Sequence, residues 1–255
     1  MKAKLARNGW MYQEKDGWHR YPCSMLMLVL HRHSLAEATE IPVLTLSNQG
    51  QAYYCVSAAV SGVKVFIMPK YDILKYFTYL DVYRITFLTG VPTVMVSLSK
   101  HPNAKSFNLK AIESTVTGSA PLNPKIGHLI AEELLRPGVK VKQGWGMTET
   151  TCSATGFAPD DDDDGSSIGW LNPNISAKIV PVPDEDFGTG FNILYTVGEI
   201  WLSGPNITSG YFNRPQETAN TFVNEDGKRW LRTGDVGYID NRGCFYIVDR
   251  LKVNH

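Results

Sequence analysis

The stretch Gln143-Gly144-Trp145-Gly146-Met147-Thr148-Glu149-Thr150-Thr151 sits directly after a short apolar run, Val139 to Val141. That run follows Pro137-Gly138 and reads as a strand, and open α/β sheets bind ligands beyond the carboxyl ends of their strands. Two glycines let the backbone come close to a flat or phosphorylated ligand. Trp145 between them offers a ring face to a base. Thr148, Thr150 and Thr151 offer hydroxyls to phosphate oxygens, and Glu149 offers a hard oxygen to Mg²⁺ bridging those phosphates. Taken alone, the same residues are equally a glycine-rich turn leading into a threonine-rich loop with a buried Trp.

The sequence upstream supports the strand-end reading. Asn123 before Pro124 is a helix cap followed by a good first helical residue, and the helix carries Ile126, Leu129, Ile130 and Leu134 on one face. Ile112 to Val116 reads as a strand before the turn Gly118-Ser119-Ala120-Pro121. Earlier still, Val63 to Met68 reads as a buried strand ending at Pro69. Asp72 caps a helix carrying Ile73, Phe77, Leu80 and Tyr83, and Ile85 to Leu88 is a strand stopped by Gly90 and Pro92. Strand and helix alternate, which predicts an α/β fold with a layered, mostly parallel sheet.

Downstream of about Gly165 helical periodicity fades. Ala177 to Val180, Gly198 to Leu202, Trp230 to Leu231 and Tyr238 to Val248, the last around Asp240-Asn241-Arg242-Gly243, predict a β-rich subdomain. The expected division is an unassigned segment at 1–43, an α/β subdomain at 44–164 and a β-rich subdomain at 165–255. The aspartate run Asp160 to Asp164 reads as a solvated loop, because contiguous carboxylates repel and do not converge on one cation.

Composition narrows the function class. The 255 residues are 43% hydrophobic, enough for one sizeable core or two smaller ones. Lys plus Arg and Asp plus Glu both number 25, so the basic excess of a nucleic-acid binder is missing. Met25 to Leu30, the longest apolar run near the N-terminus, is far too short for a membrane span. Cys23, Cys55, Cys152 and Cys244 are widely spaced, which reads as reduced, cytosol-like usage. There is no GxGxxG or GxxxxGK[ST] signature to suggest a dinucleotide oxidoreductase or a P-loop kinase.

Two further segments carry chemistry. Thr233-Gly234-Asp235 offers a carboxylate that can accept both hydroxyls of a ribose, although alone it reads as a turn aspartate. Asp249-Arg250-Leu251-Lys252 alone is a charged tail. Gly118 to Leu122, Gln143 to Glu149, Gly198-Glu199-Ile200 with Gly204-Pro205, Gly210-Tyr211, Arg214-Pro215 and Thr218, then Trp230 to Asp235 and Asp249 to Lys252 follow one another in order. Together they resemble the core motifs of the adenylate-forming superfamily, which includes acyl-CoA and aryl-CoA ligases, beetle luciferases and peptide-synthetase adenylation domains. Gly90-Val91-Pro92-Thr93 and Met68-Pro69-Lys70-Tyr71-Asp72 are similar to the 4-coumarate–CoA ligase and medium-chain acyl-CoA ligase branch.

The resemblance, which runs from about Leu44 to Lys252, implies an ATP- and Mg²⁺-dependent acid–CoA ligase with CoA as co-substrate and an aryl or medium-chain carboxylic acid as substrate. It implies that Gly118, Ser119, Ala120, Trp145, Gly146 and Met147 line the nucleotide site and that Thr148 holds phosphate. Glu149 would hold the metal, Asp235 and Arg250 the ribose, and Lys252 would be the hinge. Gly118, Gly144 and Gly146 would also line the acyl pocket. The family's Ser/Thr/Gly-rich phosphate loop has no counterpart in residues 1–43, and Leu46-Ser47-Asn48-Gln49 stands where the family often places a histidine. The family's small C-terminal domain would begin where this chain stops, at His255. The expectation is a fragment of a longer ligase with impaired turnover, cytoplasmic or peroxisomal in its full form. The alternative is a non-catalytic nucleotide-binding protein.

Overall fold

The computed structural model describes residues 3–6, 9–14, 17–20, 24–28, 50–62, 64–68, 71–158, 161–182 and 196–251. The chain forms two compact units, residues 1–142 and 143–255.

The first unit carries a parallel sheet. Its strands are β4 (Ser24–Leu28), β5 (Lys64–Met68), β6 (Phe87–Gly90) and β7 (Ser114–Thr117). With β8 (Val141–Gln143), which runs into the second unit, they lie in the order β5-β4-β6-β7-β8. The pairs β4–β5, β4–β6 and β6–β7 are parallel. Ahead of this sheet, residues for which the sequence suggested no element form an antiparallel meander: β1 (Ala3–Ala6), β2 (Gly9–Glu14) and β3 (Gly17–Arg20). A π-helical segment, Gly50–Ser57, continues into the short helix α1 (Ala58–Ser61), ended by Gly62 in the left-handed region.

Helices α2 (Ile73–Val82), α3 (Pro92–Lys100) and α4 (Pro124–Glu133) complete the layer. The side chain of Asp72 accepts from the Lys75 N–H at 2.9 Å, and that of Asn123 from the Lys125 N–H at 3.0 Å, so both expected caps form. The expected apolar faces turn inward except at one residue each. α2 buries Tyr76, Phe77 and Leu80 and leaves Tyr83 exposed at its end. α4 buries Gly127 and Ile130 and leaves Leu129 at the surface, because bare Gly127 lets the helix settle against the Val141 side chain. β5 was expected to be buried, but it is the sheet's edge, with Lys64 exposed and Met68 buried. α3 was not anticipated. Its Pro92 reads as a strand stop, yet it occupies the first helical turn, where a missing N–H costs nothing. One core joins these elements, centred on Phe77, Leu80, Ile85, Leu88, Met95, Leu98 and Ile112.

The second unit is antiparallel. β11 (Ser176–Val180), β12 (Gly198–Ser203), β14 (Lys228–Ile239) and β13 (Phe222–Glu225) follow in that order, and β15 (Phe245–Arg250) also pairs with β14. A two-stranded piece, β9 (Thr155–Gly156) with β10 (Trp170–Leu171), and helix α5 (Pro215–Thr221) flank it. Its core is Ala154, Ile168, Ile200, Leu202 and Phe245, with Trp145, Ile179 and Ile247 packed against it. The aspartate run is not uniformly solvated. Asp163 is buried, and its carboxylate accepts from the Gly165 N–H at 2.8 Å and the Ser167 hydroxyl at 2.8 Å. Asp160 lies outside the described residues.

Candidate functional site

After β8 the chain enters a loop that is fastened to itself. Residues 148–150 make one 3-10 turn, and Thr151 and Cys152 both take left-handed backbone angles, φ 51° and 92°. Two non-glycine residues in that region cost energy that the surrounding bonds must offset. The Trp145 carbonyl accepts from the N–H groups of Ala154 and Thr155, which folds the loop back on its own start. The Asn206 side-chain amide donates to the carbonyls of Thr150 at 2.8 Å and Ser153 at 3.5 Å. A Cβ on Gly146 would lie 2.0 Å from the Cys152 carbonyl oxygen. Glycine at 146 is therefore needed for the loop's own closure, a reason independent of any ligand.

The three threonines divide. Thr150 is fully buried, and its hydroxyl donates to the Met147 carbonyl while accepting from the Met147 N–H. The Thr151 hydroxyl donates to the Asn206 carbonyl at 2.7 Å. Both serve the loop and not a phosphate, contrary to the expectation from composition. Thr148 alone is exposed with its hydroxyl uncommitted among the described residues.

Glu149 has one oxygen engaged, since the Tyr211 hydroxyl donates to Oε1 at 2.6 Å. Oε2 accepts no hydrogen bond among the described residues. Tyr211 is itself held by Thr218, whose hydroxyl accepts from the Tyr211 N–H at 2.9 Å. Burial, and then the neighbouring Glu149, push the Tyr211 phenol above its usual range, so it stays a donor. No group of three or more His, Cys, Asp or Glu among the described residues could cage a cation. A single carboxylate with a free oxygen fits Mg²⁺ that arrives with phosphates and keeps most of its other ligands as water and phosphate oxygen.

The second half of the site is an irregularity in β14. Glu199 pairs with Val236 and Trp201 with Arg232, so Thr233, Gly234 and Asp235 together oppose Ile200. This enlarged bulge turns on Gly234, at φ 72°, and re-aims the Asp235 side chain. Asp235 Oδ2 accepts from the Trp145 indole N–H at 2.8 Å. Arg250, its cross-strand partner on β15, places Nε 3.6 Å from Oδ1, with the Arg side chain 71% exposed and the Asp side chain 14%. Burial, helped by the nearby negative charge of Glu199, raises the Asp235 pKa above the usual carboxylate value, against the lowering effects of the Trp145 bond and Arg250. Three of the expected residues, distant in sequence, thus meet: Trp145, Asp235 and Arg250. Gly146, Met147, Thr148 and Glu149 share the loop with Trp145.

Gly118, Ser119 and Ala120 belong to the first unit, on the turn that follows β7. Ser119 and Ala120 are exposed, and Ser119 has φ 73°. Lys252 lies outside the described residues, as do Leu46, Ser47 and Asn48. In the sequence Glu199 and Tyr211 fall within a motif that assigns them no task, and Asn206 falls in none. The only sequence signal for the three is their position among the glycines and prolines of residues 198–211.

The chain matches the family model for AMP-binding enzymes over residues 19–212, and it belongs to that family. A 4-coumarate–CoA ligase-like protein of Oryza sativa subsp. japonica is 32% identical over 92% of this chain and 42% of its own length. A luciferin 4-monooxygenase of Nipponoluciola cruciata is 35% identical over 76% of this chain and 33% of its own. The structure of ATP-bound MatB from Rhodopseudomonas palustris matches with TM-score 0.69 at 27% identity, covering 90% of this chain and 40% of that one. The chain spans less than half the length of these relatives. No helix among the described residues is long and apolar enough to cross a membrane.

Proposed function

We propose that this chain carries the nucleotide half-site of an acid–CoA ligase. Such an enzyme joins a carboxylic acid, of the aryl or medium-chain class, to AMP at the expense of ATP and then passes the acyl group to CoA. The observation that carries the reading is the Trp145–Asp235 hydrogen bond with Arg250 beside it. The ring is locked by its N–H, so it presents a fixed face to adenine. The carboxylate keeps acceptor capacity for the ribose hydroxyls on Oδ1.

In the first half-reaction a carboxylate oxygen of the acid attacks the α-phosphorus of ATP, and pyrophosphate leaves with the electrons of the broken P–O bond. This chain's residues bind and orient. Thr148 donates its free hydroxyl to a phosphate oxygen, and Tyr211 holds Oε1 of Glu149, leaving Oε2 for a cation. Mg²⁺ held at Glu149 would neutralise the phosphates' charge. Such positioning supplies most of the acceleration in phosphoryl chemistry. In the second half-reaction the CoA thiol attacks the acyl carbon, AMP leaves, and the thiol proton passes to solvent or the leaving phosphate.

Calorimetric titration with ATP and with AMP tests the reading. Binding by the native chain that is lost in Asp235→Ala supports it, whereas a folded native chain that binds neither nucleotide refutes it. Release of pyrophosphate with a panel of aryl and medium-chain acids then separates a ligase from a protein that only binds nucleotide.

A further inference from the structure

We infer that Glu199 is the positioning residue that holds the Thr233-Gly234-Asp235 bulge in the shape that presents Asp235 to the ribose. The inference rests on the nucleotide reading above. Glu199 lies on β12, and its side chain is only 6% exposed. A carboxylate so deeply buried must be satisfied by several donors to be tolerated. Its donors are specific. Oε1 accepts from the Gly234 N–H at 2.9 Å, at the apex of the bulge. Oε2 accepts from the Trp201 indole N–H at 2.7 Å and lies 3.7 Å from Arg232 Nε.

The rest of the bulge is held by weaker devices. The Thr233 hydroxyl donates to the Ile200 carbonyl at 2.6 Å and accepts from the Asp235 N–H at 3.1 Å. The Leu251 N–H donates to the Gly234 carbonyl at 2.7 Å. In a regular ladder the Gly234 N–H would face a strand carbonyl, but the bulge removes that partner and Glu199 replaces it. Without the carboxylate, the Gly234 N–H loses its partner and the glycine at φ 72° is held on its carbonyl side alone. The direction of the next side chain, Asp235, depends on that glycine, and so does the point where Trp145 is tied. No hydrogen bond or ion pair joins Glu199 to Trp145 or Arg250 among the described residues, so it acts on the site through Gly234 and, as a neighbouring negative charge, on Asp235 itself.

The test is nucleotide affinity in two variants, each measured with ATP and with 2′,3′-dideoxy-ATP, which lacks both ribose hydroxyls. Glu199→Ala should weaken ATP about tenfold, the equivalent of one mispositioned hydrogen-bonding group, and weaken dideoxy-ATP, which keeps only the adenine contact of Trp145, by clearly less. The double variant Glu199→Gln with Trp201→Phe keeps a carbonyl for the Gly234 N–H and removes the indole donor that the glutamine amide would oppose. It should fold even if Glu199→Ala does not, and it should bind ATP within about twofold of the native chain. Equal losses for ATP and dideoxy-ATP would show a general structural role and overturn the inference. So would native ATP affinity in folded Glu199→Ala, or a tenfold loss in the double variant. Asp235→Ala is the control. If it binds ATP normally, the ribose role of Asp235 fails. If it loses ATP while Glu199→Ala does not, only the role of Glu199 fails.

Discussion

The loop that leaves β7 and the loop that leaves β8 are both glycine-led, hydroxyl-bearing turns at strand ends, yet they are built differently. The first, Gly118 to Pro121, has Ser119, Ala120 and Pro121 exposed and is followed by buried Leu122. The second, Gly144 to Ser153, is fastened by the Thr150 hydroxyl, the Asn206 amide and the Trp145 carbonyl, and admits no Cβ at Gly146. The difference separates two uses of glycine. One loop can follow a ligand's shape, whereas the other is set in advance, so its side chains meet a ligand without paying for order on binding.

The contrast can be broken most severely at Gly146. Gly146→Ala forces a Cβ into the Cys152 carbonyl, and the expected result is a collapse of nucleotide affinity with a Tm several degrees lower, read by calorimetry and thermal unfolding. Asn206→Ala removes two bonds from the second loop and should destabilise the chain by about 1–3 kcal/mol, measurable in urea. Tyr211→Phe leaves Glu149 without its orienting donor. It should weaken ATP binding in the presence of Mg²⁺ by a few-fold while sparing binding without the metal. The smallest effect belongs to the first loop. Ser119→Gly relieves a left-handed residue but loosens the unfolded chain, so stability should change by less than about 1 kcal/mol.

Proton linkage sharpens the comparison further. The folded pKa of Asp235 is raised above its unfolded value, so its neutral form is favoured by the fold. Its contribution to stability is present at low pH and is lost as pH rises through the folded pKa. Ribose binding needs the ionised form, so ATP affinity should run the other way and fall on acidification at a pH above the ordinary Asp value of 3.8. Asp235→Asn should flatten that profile.

The α/β alternation was legible because caps and strand runs are local. Asp72, Asn123 and the stops at Pro69 and Pro137-Gly138 need no tertiary information. Where each inward helix face ends was less legible, since the packing of Gly127 on Val141 is decided by a strand several residues on. In the site, motif order pointed to Trp145, Glu149, Asp235 and Arg250. The division of labour among Thr148, Thr150 and Thr151 was not readable, because three hydroxyls in a row differ only in where a folded loop aims them. Glu199 was hidden for a related reason: its partner Gly234 is 35 residues away, and only the slipped register of β12 on β14 brings them together.

The central claim is that Trp145 and Asp235 form one nucleotide half-site. The indole N–H of Trp145, assigned in the NMR spectrum with Trp145→Phe, tests it most directly. The account predicts a hydrogen-bonded resonance that is displaced in Asp235→Ala and that shifts as ATP is titrated into the native chain. An indole signal unchanged by the Asp235 substitution and at saturating ATP would contradict it.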